Sequence, residues 1–157
     1  MHNVLVHHAE PRVIAAVHAR LAVATVPNLF RRYLDQVYAA AKAGVVQLDG
    51  QNVFVYHPVS GRPDDADCAF GVGIIAGLAH RAGAVEPTPL PVGEVAMTTR
   101  WGSYSGIRGA HQAVIAWCKE NGRRRTGIRW EVYGHWTDDE SRLQTHIYHL
   151  LEPEARS

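Results

Sequence analysis

Gly127-Ile-Arg-Trp-Glu-Val-Tyr-Gly-His-Trp136 is the stretch from which the fold can be read. β-Branched and aromatic residues dominate it, with glycine on one side and the polar Thr137-Asp138-Asp139 on the other. That combination predicts a strand over Ile128–Trp136. Side chains alternate between the two faces of a strand. Ile128, Trp130 and Val132 therefore share one face and read as core, while Arg129, Glu131 and Tyr133 share the other. A carboxylate beside an aromatic ring on the second face needs a physical reason.

Working outward, Ile107, Ala110, Val114, Ile115, Trp117 and Cys118 recur at helical spacing upstream of this strand. They predict a helix that opens at Gly102-Ser103, with Ser103 as its cap, and closes at Gly122. Glu94–Arg100 precedes it as a strand. Downstream, the polar Thr137–Arg142 leads into a last strand, Leu143–Leu151. The first half has the same order. His2–His8 and Arg12–His18 read as strand. Thr25 is a candidate N-cap with Pro27 in the first turn, and Val26, Leu29, Phe30, Tyr33, Leu34, Val37, Tyr38 and Ala41 form one apolar helix face. Gly44 closes that helix. Asn52–Pro58 is a strand, Ser60–Asp67 a polar hairpin connection, and Cys68–Gly77 a second strand.

Strand–helix–strand–strand thus occurs twice, at a period of about eighty residues. The expected fold class is α+β, a tandem repeat of these modules with antiparallel sheets, a central ligand groove and helices packed outside. The chain reads as a single domain over 1–157, in two pseudo-symmetric halves at about 1–82 and 92–151. The proline-rich segment 83–91 reads as a linker. Each half alone has a small core, and two halves packed together would share one.

Composition narrows the function classes. The chain has 157 residues, is 46% hydrophobic and 20% charged, and carries a net charge of +1. That balance sets up no strong field for direct nucleic-acid or membrane binding. Cys68 and Cys118 are far apart and outside any Cys-x-x-Cys, which suggests reduced thiols in a cytoplasmic protein. No apolar run is long enough for a membrane span, and the N-terminus lacks a signal-peptide pattern. The histidines offer no metal spacing: His146 and His149 diverge on a strand, as do His7 and His8. No metal or cofactor is expected.

Glu131 is the central candidate for chemistry. A poorly solvated carboxylate among aromatic rings gains most from a cationic partner, and each ring face adds cation–π attraction of about 0.5–2 kcal/mol. Tyr56 stands in the first half where Tyr133 stands in the second, and Phe54 stands where Glu131 stands. Trp101 and Tyr104 flank Gly102-Ser103 at the start of the second helix and could line a groove. For Phe54, Tyr56, Trp101 and Tyr104 alike, core packing or simple exposure is the competing reading.

These residues carry a family resemblance. Arg100-Trp101-Gly102-Ser103-Tyr104, Trp117, Asn121-Gly122, Trp130-Glu131-Val132-Tyr133 and the closing Thr145-His146-Ile147-Tyr148 resemble the GyrI-like effector-binding domain. Val53-Phe54-Val55-Tyr56-His57 is similar to the first repeat of that family, so the resemblance spans nearly the whole chain. It implies a tandem fold with a central hydrophobic pocket for bulky, often cationic aromatic compounds. Its buried pocket Glu matches Glu131, and its pocket aromatics match Tyr56, Trp101, Tyr104 and Tyr148. The family occurs fused to DNA-binding helices of AraC- or MerR-type regulators, and also alone. The chain departs from it where the Gly-Pro-Tyr turn reads Gly-Ser-Tyr, and where Trp101 replaces a smaller polar residue.

The expected function is a standalone binding protein for aromatic, cationic, drug-like molecules, with Glu131, Tyr133, Tyr56, Phe54, Trp101, Tyr104 and Tyr148 as ligand-binding residues. The alternative is a hydrolase that opens strained, cyclopropanoid rings of genotoxic natural products, with Glu131 and Tyr133 catalytic. A third reading is a protective protein partnered with gyrase or a separate regulator.

Overall fold

The computed structural model describes residues 2–154. Its elements, in chain order, are strands β1 (Leu5–Ala9) and β2 (Val13–Ala22), helix α1 (Val26–Lys42), strands β3 (Val46–Val59), β4 (Arg62–Gly77), β5 (Glu86–Pro89) and β6 (Gly93–Trp101), helix α2 (Ile107–Glu120), and strands β7 (Arg125–Tyr133) and β8 (Gln144–Leu151). The class is α+β with antiparallel pairing throughout, as the repeated element order predicts. The described residues fall into two compact units. One is Pro11–Leu90, and the other is formed by the residues on either side of it.

In the unit Pro11–Leu90 the strands run in the order β3-β4-β2-β5. Helix α1 packs on β2, β4 and β3. Leu34 and Val37 are buried, as are Ile14, Val53, Phe70 and Val72 from the strands. Phe54 packs at 5.4 Å from Phe30 of α1 and edge-on to Phe70 at 5.1 Å, and Tyr33 stacks on Phe70 at 5.2 Å. This aromatic cluster is what the apolar stripe of α1 covers.

The other unit has the strand order β1-β6-β8-β7. Helix α2 packs on β6 and β8. Ala110, Val114 and Cys118 of α2 meet Ala96, Ile147 and Leu151 of the sheet in one buried cluster. In β8, Thr145, Ile147, His149 and Leu151 are all buried, the alternation expected of a strand with one covered face.

Several boundaries differ from the sequence reading, each for a local reason. Helix α2 does not start at Ser103. Tyr104–Gly106 forms a 3-10 turn first, and the Ser103 hydroxyl bonds Ser105 Oγ, so it caps nothing. Gly106 lies so close to the Arg100 guanidinium that any side chain there would run into it. Thr25 likewise caps nothing; its hydroxyl donates to the carbonyl of Ala22 within a 3-10 turn. Most of the connection expected at Ser60–Asp67 is strand. Only the turn around Gly61 (φ 73°) is needed, because the ladder between β3 and β4 runs on to Val59 and Arg62. Residues 86–89, within the stretch read as linker, form β5 against Val13–Ala16. Proline is tolerated in such a strand because it has a strand neighbour on one side only. Strand β7 ends at Tyr133, which leaves His135 and Trp136 beyond it. Among the described residues no helix is long and apolar enough to cross a membrane.

Phe70 is fully buried between two aromatic partners. Phe70→Ala is expected to lower unfolding free energy by about 3–5 kcal/mol, read from the urea midpoint.

Candidate ligand site at Glu131

Glu131 sits on β7 between Trp130 and Val132, and all three are buried. Alternation sends Arg129, Glu131 and Tyr133 to one face, as read from the sequence. That face is the one α2 covers. On α2, Ile107, His111, Val114 and Cys118 fall on one stripe at positions i, i+4, i+7 and i+11. Three of the four are apolar, and His111 is the exception.

His111 Nε2 lies 2.7 Å from Glu131 Oε2, and the Tyr133 hydroxyl donates to Glu131 Oε1 at 2.6 Å. The side chains of His111 and Glu131 are 15% and 7% exposed. Both carboxylate oxygens therefore accept from a positioned donor, as a buried charge requires. The chain continues inward. His111 Nδ1 is 2.9 Å from Nε2 of His149, which is the register partner of Arg129 on β8. Tyr133, Glu131, His111 and His149 form one hydrogen-bonded line from β7 through α2 to β8.

The electrostatics fix the protons along this line. Burial holds His149 down to about 3, and the charges of His111, Arg125 and Arg129 push the same way. His149 is neutral at pH 7. Its Nδ1 has no hydrogen-bond partner among the described residues. A buried N–H without a partner is rarer than an unmatched acceptor, so the proton belongs on Nε2. His149 then donates to His111 Nδ1, and His111 donates through Nε2 to Glu131.

Aromatic groups surround the outer end of the line. Tyr104, in the 3-10 turn before α2, meets Tyr133 edge-on at 5.5 Å and Trp136 at 6.4 Å. Burial raises the Tyr104 hydroxyl, which keeps it a neutral donor. Trp136 is 68% exposed and Tyr104 is 40% exposed. Large aromatic surface is thus available to solvent beside a buried carboxylate, and such groups commonly mark interaction sites.

Of the residues singled out in the sequence, the structure brings together Glu131, Tyr133 and Tyr104. Tyr148 lies on the opposite face of β8, stacked on Trp130 at 5.2 Å and edge-on to His7 at 6.0 Å. Trp101, at the end of β6, is 60% exposed. Phe54 belongs to the aromatic cluster of the other unit, and Tyr56 is buried in β3 of that unit. His146 and His149 do point apart: His146 Nδ1 bonds Thr99 Oγ1 at 3.0 Å on the face away from α2. Among the described residues no group of three or more His, Cys, Asp or Glu side chains could hold a metal ion.

Sequence reasoning missed His111, His149 and Trp136. The signal for the first two was present. His111 interrupts the apolar stripe of α2, and His149 occupies a covered position in the alternation of β8. The two modules make the point sharper. His111 is the fifth residue of α2, and Phe30 is the fifth residue of α1. Where one unit packs Phe30 against Phe54 with the rings tilted, the other bonds His111 to Glu131.

No protein-family profile matches the chain, and no curated protein matches it in sequence. Solved structures do match over nearly its whole length. The EcmrR C-terminal domain superposes with a TM-score of 0.76 at 15% identity, covering 97% of this chain and 98% of its own. SAV2435 bound to tetraphenylphosphonium gives 0.69 at 8% identity, with 96% and 94% covered. A hydrolase from Listeria innocua gives 0.55 at 9% identity, with 95% and 91% covered. The fold is that of a GyrI-like effector-binding domain, the one the sequence resemblance implies.

His149 supplies a stability prediction. An unfolded histidine titrates near 6.5, and folded His149 titrates at about 3. Between those values the unfolded chain binds the extra proton. The stability tied to neutral His149 is therefore whole above the unfolded value and lost as pH falls toward the folded one. His149→Phe is expected to flatten this slope, which can reach about 1.4 kcal/mol per pH unit. Urea unfolding of both proteins between pH 7 and pH 4.5 measures it.

Proposed function

We propose that this chain binds a bulky, aromatic, cationic small molecule, with Glu131 as the counter-charge and Tyr133, Tyr104 and Trp136 as the aromatic surface. The observation that carries this reading is the buried Glu131 carboxylate beside these partly exposed rings. A buried carboxylate in a helix–sheet interface is costly to keep, and replacing it with apolar groups is commonly neutral or stabilising. The Phe30–Phe54 pair of the other unit provides the apolar solution at the corresponding positions. A charge retained where a phenyl ring would pack is best explained by a ligand. The fold shared with a protein solved with tetraphenylphosphonium supports the same chemistry. Tyr56, Phe54, Trp101 and Tyr148 remain proposed contributors to ligand contact.

Two buried cysteines far apart in the sequence, Cys68 and Cys118, suit a cytosolic setting. A net charge of +1 argues against direct nucleic-acid recognition.

A second reading has its own observation. The Tyr133 hydroxyl and the Glu131 carboxylate are 2.6 Å apart, which is a workable acid–base pair. Water deprotonated by Glu131 could attack a ring carbon of an activated cyclopropane, breaking a ring C–C bond whose electron pair passes to a conjugated carbonyl, with Tyr133 donating a proton to the oxyanion that develops there. Mass analysis after incubation with cyclopropane-bearing alkylators decides this reading, and no turnover across a panel rejects it.

For the binding reading, Trp136 is expected to report ligand by fluorescence quenching. Glu131→Gln keeps size and hydrogen-bonding capacity but removes the charge. Its affinity for a planar cationic dye should fall by a factor corresponding to about 2–5 kcal/mol. Unchanged affinity would sink the charge argument.

A further inference from the structure

We propose that Arg100 and Thr145 form a subsite for a carboxylate group carried on an aromatic ligand. The subsite goes beyond the cation reading above and does not draw on the charge of Glu131.

Two orphaned polar atoms side by side carry the inference. Thr145 is fully buried on β8, on the face that α2 covers. Its Oγ1 has no hydrogen-bond partner among the described residues. Arg100 is its register partner on β6, and Arg100 Nε is likewise buried without a partner. Thr99 bonds His146 on the opposite face, so alternation sends Arg100 to the same face as Thr145. Buried polar side-chain atoms are normally satisfied, and each exception needs a reason. Here two exceptions are neighbours on one rung of the ladder. Among the described residues Arg100 also has no salt-bridge partner, whereas Arg12, Arg20, Arg62, Arg81 and Arg123 each have one.

The donor set selects the occupant. Arginine Nε–H only donates, and a threonine hydroxyl donates or accepts. Both can therefore donate to one oxygen acceptor. A guanidinium without a counter-charge favours an anionic acceptor, and the planar carboxylate fits its fork. Aromatic rings border the pair. Tyr133 is the register partner of Thr145 on β7, and Tyr104 meets it edge-on at 5.5 Å. The Tyr133 hydroxyl itself donates to Glu131.

The turn before α2 closes the subsite. The Arg100 guanidinium lies between Gly102 and Gly106, and a side chain at Gly106 would occupy its place. Gly102 takes φ 122°, a conformation open to glycine. A ligand carboxylate reaches Arg100 Nε and Thr145 Oγ1 when this turn lifts, which carries Tyr104 outward with it.

The test titrates the full chain at neutral pH with benzoate and with benzamide, its uncharged counterpart, followed by amide proton–nitrogen correlation spectra. Benzoate should shift the Gly102, Gly106 and Thr145 amides saturably, and benzamide should not. Thr145→Val removes the hydroxyl at constant shape, and benzoate affinity should fall by about tenfold or more, as for a lost hydrogen bond to a charged group. Thr145→Ser should bind as the unaltered protein does. Arg100→Lys keeps the charge but loses Nε, and it should weaken benzoate as Thr145→Val does. Because the hydroxyl is an orphan, the urea midpoint of Thr145→Val should equal or exceed that of the unaltered protein. A lowered midpoint would show that the hydroxyl is already bonded within the protein and would overturn the proposal. So would equal shifts from benzamide, unchanged benzoate affinity in Thr145→Val or Arg100→Lys, or no saturable shift at all. None of these results bears on the dye titration of Glu131→Gln, which tests the cation reading separately.

Discussion

Everything notable about this chain depends on one buried carboxylate. Glu131 lies where a sheet face meets the helix covering it, a place normally reserved for apolar contact. The Tyr133 hydroxyl and the His111 imidazole satisfy its two oxygens. Without those donors, desolvation alone would cost several kcal/mol. With them the carboxylate is held in one position between β7 and α2.

The hydrogen-bonded line crosses three elements and is anchored by burial at its inner end. His149 is nearly sealed from solvent and is kept neutral by that burial and by the nearby cationic groups. At the outer end the line opens toward Tyr104 and Trp136, which expose aromatic surface. The polarity therefore runs from a dry, proton-poor interior to a wet aromatic rim. That gradient is what motivates the proposal of a flat ligand with one positive end.

Comparing the two modules separates scaffold from function. Each is a four-stranded antiparallel arrangement with one helix laid across it. One fills the helix–sheet interface with Phe30, Tyr33, Phe54 and Phe70. The other keeps an apolar cluster around Val114 and Ile147 but places His111, Glu131 and His149 beside it. At the positions that correspond to His111 and Glu131, the other unit packs two phenyl rings, Phe30 and Phe54.

The sequence by itself determined the element types, their repeated order and the face on which Glu131 lies, because strand alternation and helix periodicity are local properties. The strand at Gly127–Trp136, the apolar stripe of α2 and the closure of both helices near glycine are all readable from neighbours along the chain. Element ends were less legible. Ser103 and Thr25 are good capping residues, but at both positions a 3-10 turn takes the place of the expected cap. Only the tertiary structure decided what Glu131 touches. His111 is 20 residues away and His149 is 38 residues from His111. No periodicity joins residues on a helix and two strands across such separations. Packing alone brought the three onto one hydrogen-bonded line.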